Sequence, residues 1–392
     1  MNSKERLITA LNHEEPDRVP LDLGGWVTTM SIKTYNRLLE KLGKDRKGEV
    51  FDWLRQNVQP EEDILERLGV DTRYVHLSPP RSWTFAPEQT DKGLYVRDEW
   101  GCGFLMPESS LYYNLVDSPL RDATVDDLED YPWPDPDDTG LIDGVAKRAE
   151  ALARENKYGI VGNFAWETWF ERAWKLRAMD RFYLDMAANK TFVHALLDKT
   201  LSLHLRLLDN VLAACGQYLD VIIQGGDLAG QKTTLMSPEA YREFIKPRQA
   251  RAVRFIKERT RAKIFWHSCG AVSSLIDDFI DVGIDILNPV QVRAHGMDAK
   301  DLKKRYGSRI AFWGGIDSQH VLPSGSVGDV ENEVRHLLRT AAPGGGLVIC
   351  PVHNIQADVP VENVLALYDT ALKYGKYPVG EAARISGAGQ KT

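Results

Sequence analysis

The chain has 392 residues, of which 43% are hydrophobic and 27% are charged, with a formal net charge of -7 at pH 7. This composition is typical of a soluble globular protein, and the negative charge argues against a general nucleic-acid binder, which needs a basic surface. No apolar run approaches the roughly 20 residues that span a bilayer, and the amino terminus has no secretory apolar region, so we expect a cytoplasmic protein without membrane contact.

Short helices and strands open the chain. Apolar periodicity predicts helices over 3–12, 31–42 and 60–68, and short apolar runs predict strands over 19–23 and 74–77. From about 79 to 138, prolines and acids mix with aromatic residues and short β-like pieces, and repeated prolines exclude regular structure over 130–136. We expect this segment to be an insertion that packs over one end of the main fold.

Beyond residue 140, predicted strands and helices alternate regularly. The strands are predicted over 158–162, 219–223, 263–266, 284–287, 310–313 and 347–350, and the last helix over 361–375. They are short and apolar, as in a parallel sheet that is buried on both faces. The number of strand–helix units favours an α/β fold of the (β/α)8 TIM barrel type. We therefore predict a single barrel domain over residues 1–392, with an N-terminal helical extension and the β-containing insertion at about 79–138.

Polar or aromatic side chains follow most of these strands. In a (β/α)8 barrel the carboxyl ends of the strands carry the chemistry. We therefore predict that one cavity binds substrate through residues at these ends: Asp22, Asn163, Trp166, Gln224, Gln291, Trp313 and Asp317. Asp227 and Glu167 are the predicted catalytic residues, as a proton donor or as a fourth metal ligand. The alternative is a structural role for both: Asp227 would cap a loop, and Glu167 would be an acid in the first turn of a helix, where the helix dipole stabilises negative charge.

The tripeptide His267-Ser268-Cys269 directly follows an apolar strand. Side chains alternate along a strand, so His267 and Cys269 are expected to point to the same side. An imidazole nitrogen and a thiolate are preferred zinc ligands. A buried histidine beside an inert cysteine is the alternative, but the pair at a strand end favours a metal.

A third metal ligand is predicted from the strand end near residue 350. His353 lies in the loop beyond the strand, where a ligand can reach the site, and is the preferred candidate. Cys350 is the alternative, because a thiolate suits zinc but its neighbours suggest that it belongs to the buried strand. If the two chain segments meet, the protein is a zinc enzyme.

Several motifs together resemble the uroporphyrinogen decarboxylase-like superfamily. They are the segments 10–20, 267–270, 285–291, 312–317 and 344–363. The resemblance extends over nearly the whole chain, and it implies a (β/α)8 barrel that is often a homodimer.

Within that superfamily, the chain is more similar to the cobalamin-dependent methyltransferases than to the true decarboxylases. The decarboxylases carry an arginine-rich segment for substrate carboxylates, whereas the matching residues 21–26 contain no arginine. The methyltransferases act on methanol, methylamine-derived thiols or methoxylated aromatics, and they carry an H-x-C pair with a distant third cysteine. In this chain the third position falls on His353.

The resemblance implies two cofactors, Zn²⁺ and a corrinoid (cobalamin). The corrinoid is expected on a partner protein, because the chain has no D-x-H-x-x-G motif. We hypothesise a zinc-dependent transfer of a methyl group from a small O-methyl substrate to corrinoid cobalt, and the tryptophans near the strand ends favour a methoxy-aromatic substrate. The alternatives are a methylcorrinoid:thiol (coenzyme M-like) methyltransferase, a uroporphyrinogen decarboxylase, and a non-catalytic tetrapyrrole-binding barrel.

Overall fold

A computed structural model describes residues 1–164 and 168–379. Its central feature is a sheet of seven parallel strands, in which strands that follow one another along the chain are paired. In chain order these strands are Thr72–His76, Gly159–Asn163, Val221–Gly225, Lys263–His267, Ile286–Asn288, Ala311–Trp313 and Leu347–Val348. The six strands predicted after residue 140 are all present, with ends shifted by at most two residues.

An extended segment near residue 21 joins the two edges of this sheet. On one side, the backbone nitrogen of Ile349 donates to the oxygen of Pro20 (2.9 Å), and that of Asp22 donates to the oxygen of Ile349 (3.0 Å). On the other side, the backbone nitrogen of Asp71 donates to the oxygen of Leu21 (2.8 Å). The segment completes the ring, which confirms the predicted (β/α)8 barrel fold.

The strands bury both of their faces, as their unbroken apolar runs predict. Val221 and Ile223 belong to the cluster inside the barrel, together with Phe265 and Trp313. Ile222, between them, belongs to the larger cluster that the strands form with the surrounding helices. The alternation follows from the two-residue period of a strand.

Helices pack around the sheet. Beyond residue 140, the helices of seven or more residues are Val145–Glu155, Trp169–Arg177, Met179–Ala188, Lys190–Cys215, Lys246–Lys257, Ile276–Val282, Ala299–Tyr306, Val327–Ala341 and Val361–Tyr374. The amino-terminal part contributes Ser3–Leu11, Ile32–Lys41 and Glu62–Arg67, and short turns of helix lie at Asp127–Asp130, Pro238–Ala240 and Val321–Ser324. Within the described ranges, none of the helices combines the length and apolar composition that crossing a bilayer requires.

Two small antiparallel sheets lie outside the barrel. Four strands form the first: Glu88–Thr90, Gly93–Arg97, Gly103–Met106 and Asn114–Asp117. They account for the β-like pieces predicted within 79–138. The second sheet, from Met30–Ser31, Val50–Asp52 and Asn57–Val58, is not evident in the sequence, because its strands are too short to show a period.

Candidate metal centre and adjoining cavity

Three potential metal ligands meet at the carboxyl ends of the strands. One side-chain ligand atom each from His267, Cys269 and His353 lies within 4.8 Å of the other two. Nε2 of His267 is 3.5 Å from Sγ of Cys269, and the two imidazole ring centroids are 5.7 Å apart. The two remote segments that the sequence singles out are therefore neighbours in the fold.

A hydrogen bond fixes the orientation of the His267 ring. The side-chain nitrogen of Asn288 donates to the backbone oxygen of Trp313 (3.0 Å), so its Oδ1 is the atom that faces Nδ1 of His267, at 2.6 Å. An amide oxygen can only accept, so Nδ1 of His267 carries the proton. Nε2 is left with its lone pair on the side of Cys269, as a metal ligand requires.

The loop that carries Cys269 is held by acids and amides. Oδ1 of Asp227 accepts from the backbone nitrogen of Cys269 (2.8 Å) and lies 3.7 Å from Nε2 of His267. Oε1 of Gln291 accepts from the backbone nitrogen of Gly270 (2.6 Å). Asp227 thus borders the ligand group, and it also performs the loop-capping role that the sequence left as its alternative.

Burial sets the protonation of all three candidate ligands. Burial lowers the pKa of His267, although the negative charge of Asp227 opposes this shift. Burial also lowers the pKa of His353 to about 3, and the positive charges of His267 and Arg55 add to that effect. Burial, reinforced by the carboxylates of Asp227 and Glu171, raises the pKa of the Cys269 thiol well above its usual value. At neutral pH both imidazoles are therefore neutral, and the thiol keeps its proton unless a cation displaces it.

Cys350 lies apart from this group. Its side chain is fully buried in the cluster inside the barrel, and its thiol is 3.2 Å from the backbone oxygen of Pro351. It is not among the three side chains that converge. The geometry thus favours His353, the first of the two candidates for the third position.

A cavity of about 470 Å³ reaches toward the ligand group through Trp26, although His267, Cys269 and His353 do not line it. Aromatic side chains line it, namely Trp26, Phe51, Trp53, Trp83 and Phe104. The ring of Trp26 also lies 6.1 Å from that of His267, and the guanidinium of Arg55 lies over the same indole at 4.7 Å. Trp26 is therefore common to the cavity wall and to the surroundings of the ligand group.

The predicted substrate-binding residues occupy different places. Asn163 lines the cavity. Asp22 and Trp313 are fully buried inside the barrel, where Nε1 of Trp313 donates to Oδ2 of Asp22 (2.9 Å) and the hydroxyl of Tyr74 donates to Oδ1 (2.8 Å). Burial raises the pKa of Asp22, opposed by these hydrogen bonds. Substrate binding by this pair stays a prediction.

The remaining predicted residues lie near the ring of strand ends. Gln224 is buried and bonded to His204, with 2.8 Å between Oε1 and Nε2. Asp317 accepts from Nε of Arg293 (3.1 Å) and from the backbone nitrogen of Gln319 (2.8 Å). Trp166 and Glu167 lie outside the described residues.

Three residues of this region, Trp26, Arg55 and Glu171, are absent from the predicted site. Trp26 and Arg55 come from the amino-terminal part, and no pattern in the sequence connects them with residue 267. Glu171 accepts from the backbone nitrogen of Asp227 (3.1 Å). Asn288, which follows an apolar strand in the same way as His267 does, is one of the polar strand ends that the sequence predicts around the cavity.

A solved structure shares this fold over nearly its whole length. A methyltransferase from Methanosarcina mazei aligns over 95% of this chain and 99% of its own, with a TM-score of 0.64 and 20% identity. This likeness establishes the shared fold. A β-glycosidase from Thermosphaera aggregans (TM-score 0.43, 11% identity, 95% and 99% covered) and xylanase 10B from Thermotoga maritima (0.37, 11%, 59% and 80%) are too dissimilar to support an inference.

No curated protein sequence matches the chain. A family model does: the one described as uroporphyrinogen decarboxylase (URO-D) matches residues 94–374. That range contains the strand end at His267–Cys269, the loop at His353 and most of the barrel. The chain therefore belongs to the uroporphyrinogen decarboxylase family.

Proposed function

We propose that this protein transfers a methyl group from a small methoxy-aromatic substrate to the cobalt of a corrinoid, which a partner protein carries. The observation that supports this most directly is the convergence of His267, Cys269 and His353 beside an aromatic-lined cavity. Asp227, at the edge of the ligand group, is the proposed proton donor or fourth ligand.

The donor set fits Zn²⁺. Two neutral imidazoles and one thiol, with one imidazole held through its other nitrogen by Asn288, match the ligand types and the supporting contacts of zinc sites that keep a position open. A zinc ion held by these residues would stabilise the negative charge that develops on the substrate's ether oxygen. A single thiolate leaves such a centre a net positive charge, which suits an oxygen leaving group.

The proposed reaction is a displacement at the methyl carbon. The bond between the ether oxygen and the methyl carbon breaks, and a bond between that carbon and cobalt forms. Both electrons of the new bond come from Co(I), which becomes formally Co(III). The oxygen keeps the electrons of the broken bond and takes up one proton, so the aromatic product is a phenol.

The chain's own residues position the substrate and exclude water. The aromatic wall offers flat surfaces for an aromatic ring, and stacked or edge-to-face contacts of this kind contribute about 0.5–1.5 kcal/mol per pair. Trp26 connects this wall with His267, so a ring bound against Trp26 has its substituents near the ligand group. Asp227 lies on the other side of His267 from Asn288, where its carboxyl can carry the proton.

The comparisons favour this branch of the family. A methyltransferase shares the fold over nearly the full length of both chains. Residues 21–26 contain no arginine, and Asp22 among them is buried inside the barrel, so this segment offers no cation to a substrate with several carboxylates. Both observations support methyl transfer over tetrapyrrole decarboxylation.

The test is anaerobic incubation of the zinc-loaded protein with Co(I) cobalamin and a panel of methoxy-aromatics. We expect the absorption spectrum of methylcobalamin to appear with wild type and to be lost in His267→Ala. The protein is also incubated with methylcobalamin and a thiol, and separately with uroporphyrinogen. Methylation of the thiol alone would replace this proposal with the thiol methyltransferase, and release of CO₂ from uroporphyrinogen would replace it with the decarboxylase.

A further inference from the structure

Three buried polar atoms belong to side chains that line the cavity and have no hydrogen-bond partner among the described residues. They are Nε1 of Trp26, Nε2 of His76 and Oδ1 of Asn163. Trp26 and Asn163 are each only 6% exposed. An unpaired buried polar group is costly, so three of them around one cavity mark a wall that the polar groups of a ligand can satisfy.

The contacts of His76 determine what it offers. The amide nitrogen of Asn163 lies 2.8 Å from Nδ1 of His76, and because an amide nitrogen only donates, Nδ1 is the acceptor. The proton of the neutral ring is then on Nε2. The ring of His76 stacks on that of Tyr74 (5.6 Å between centroids) and contacts the tilted ring of Phe51 (4.3 Å), and these contacts restrain the imidazole plane. The unpaired atom is therefore a fixed donor.

Arg148 lies at the same end of the cavity. Its Nε donates to the backbone oxygen of Tyr74 (2.7 Å), two residues before His76 on the same strand. Its charge contributes to lowering the pKa of His76 to about 3, after the larger effect of burial, so the two groups are close and His76 is neutral. Within residues 1–164 and 168–379, no acid lies within ion-pair distance of Arg148, although the charges of Glu62 and Glu155 act on it from farther away. Its side chain is exposed, so solvent or a ligand can reach it.

Acidic residues also line the cavity: Asp52, Asp98, Glu99 and Asp143. Asp52 is 3.2 Å from Arg55, and Asp98 is 2.5 Å from Arg172, so these two carboxylates are neutralised within the wall. Asp143 is exposed and lies 3.9 Å from Arg81. Glu99 makes a contact of its own. Arg148, beside the donor of His76, is thus the guanidinium of the wall that no ion pair holds among the described residues.

We propose that Arg148 and His76, with Asn163 holding the imidazole, form a subsite for the carboxylate of the substrate, which is therefore a methoxylated aromatic acid. The carboxylate accepts from the terminal nitrogens of Arg148 and from Nε2 of His76. The ring lies against the aromatic wall, and the methoxy group extends toward Trp26 and the ligand group. That the bound aromatic acid is the methyl donor rests on the proposed function. Binding of its carboxylate at the subsite can be measured without catalysis.

The test measures binding without a methyl acceptor, so that it does not depend on catalysis. Isothermal titration of the zinc-loaded full chain compares 4-methoxybenzoate with 4-methoxybenzamide, which have the same shape but differ in charge. We expect wild type to bind the acid at least about tenfold more tightly, because hydrogen bonds to a charged acceptor are stronger than those to a neutral amide. Equal binding of the two compounds would overturn the subsite.

Two variants and one control locate the effect. Arg148→Gln should abolish the preference for the acid and leave the affinity for the amide within about twofold, and His76→Phe, which keeps the ring stacking, should weaken acid binding about tenfold. Arg154→Gln, on the same helix but bonded to Glu150 outside the cavity, should behave as wild type. An undiminished preference in Arg148→Gln would overturn the assignment. A preference that depends on Arg148 in a protein that transfers no methyl group would instead refute the proposed function and leave the subsite intact.

Discussion

Oδ1 of Asn288 lies 2.6 Å from Nδ1 of His267, at the ends of two adjacent strands that pair at these residues. The contact orients the imidazole and selects the tautomer in which Nε2 is free to bind a metal. We predict that Asn288→Ala lowers the affinity for zinc about 10- to 100-fold, as the loss of such a supporting contact does elsewhere. Competition for zinc with a chelating dye measures the affinity of wild type and variant. Asn288→Asp, which keeps the acceptor, is the control, and an unchanged affinity in Asn288→Ala would show that the contact is dispensable.

Gly270 follows the candidate ligand Cys269 and has a φ of +90°. A Cβ at this position would lie 2.5 Å from the backbone oxygens of both Ala229 and Gly230, so the loop must move. We predict that Gly270→Ala lowers both the free energy of unfolding and the affinity for zinc. Gly43→Ala is the matched control: its φ of +69° brings strain of about 1 kcal/mol, but nothing lies within 4 Å of the added Cβ. Equal effects of the two substitutions would contradict the steric explanation.

His204 is a buried histidine outside the ligand group. Burial lowers its pKa to about 4, against the opposing hydrogen bond to Gln224. The unfolded chain takes up this proton near pH 6.5 and the folded chain only near pH 4, so the stability contributed by neutral His204 is complete above pH 6.5 and decreases as the pH falls toward 4. The full effect is up to about 3 kcal/mol. Urea midpoints across this range should depend less steeply on pH in His204→Gln than in wild type, and His336→Gln, at an exposed position, should keep the wild-type slope.

Asp71 stabilises the closure of the barrel. Its carboxylate is fully buried, and it binds Arg6 (2.6 Å), Arg18 (2.7 Å) and the backbone nitrogen of Leu21 (2.8 Å) in the closing segment. We predict that Asp71→Asn lowers the free energy of unfolding by about 3–5 kcal/mol, because it removes the buried negative charge that Arg6 and Arg18 share, and only Arg6 retains another carboxylate, that of Asp17.

An exposed ion pair provides the control for Asp71. Asp369→Asn removes the partner of Arg67, in a pair whose side chains are 43% and 49% exposed, and should cost at most about 1 kcal/mol. Urea denaturation of the two variants beside wild type measures both changes. A loss in Asp71→Asn no larger than in Asp369→Asn would mean that the barrel closes without this network.

Much of the fold could be predicted because its elements have strong local signals. The strand at Lys263–His267 is a short apolar run, and Val327–Ala341 is a helix with a capping box at Ser326 and Asp329. The strand Met30–Ser31 could not be predicted, since two residues show no period. The eighth strand position, near Leu21, was predicted as a strand, but it is held by backbone bonds to Ile349 and Asp71 that no local pattern reveals.

The candidate site was predictable to the extent that its residues follow strands. His267, Cys269 and His353 converge because the strands before them are parallel and end at the same face of the barrel. Trp313 also ends a strand, yet its side chain lies inside the barrel. Successive side chains of a strand alternate between the barrel interior and the surrounding helices, and Trp313 falls on the interior side. Arg148, on a helix, was not predicted, because its place in the cavity depends on tertiary packing alone.

The most direct test of this account is the zinc content of the purified protein and of its ligand variants. The anaerobically purified wild type should contain about one zinc ion per chain, as one site of this kind binds. His267→Ala, Cys269→Ala and His353→Ala should each lose most of it, while Cys350→Ala should retain it. Full zinc retention in all three of the former, or loss in Cys350→Ala alone, would contradict the proposed centre.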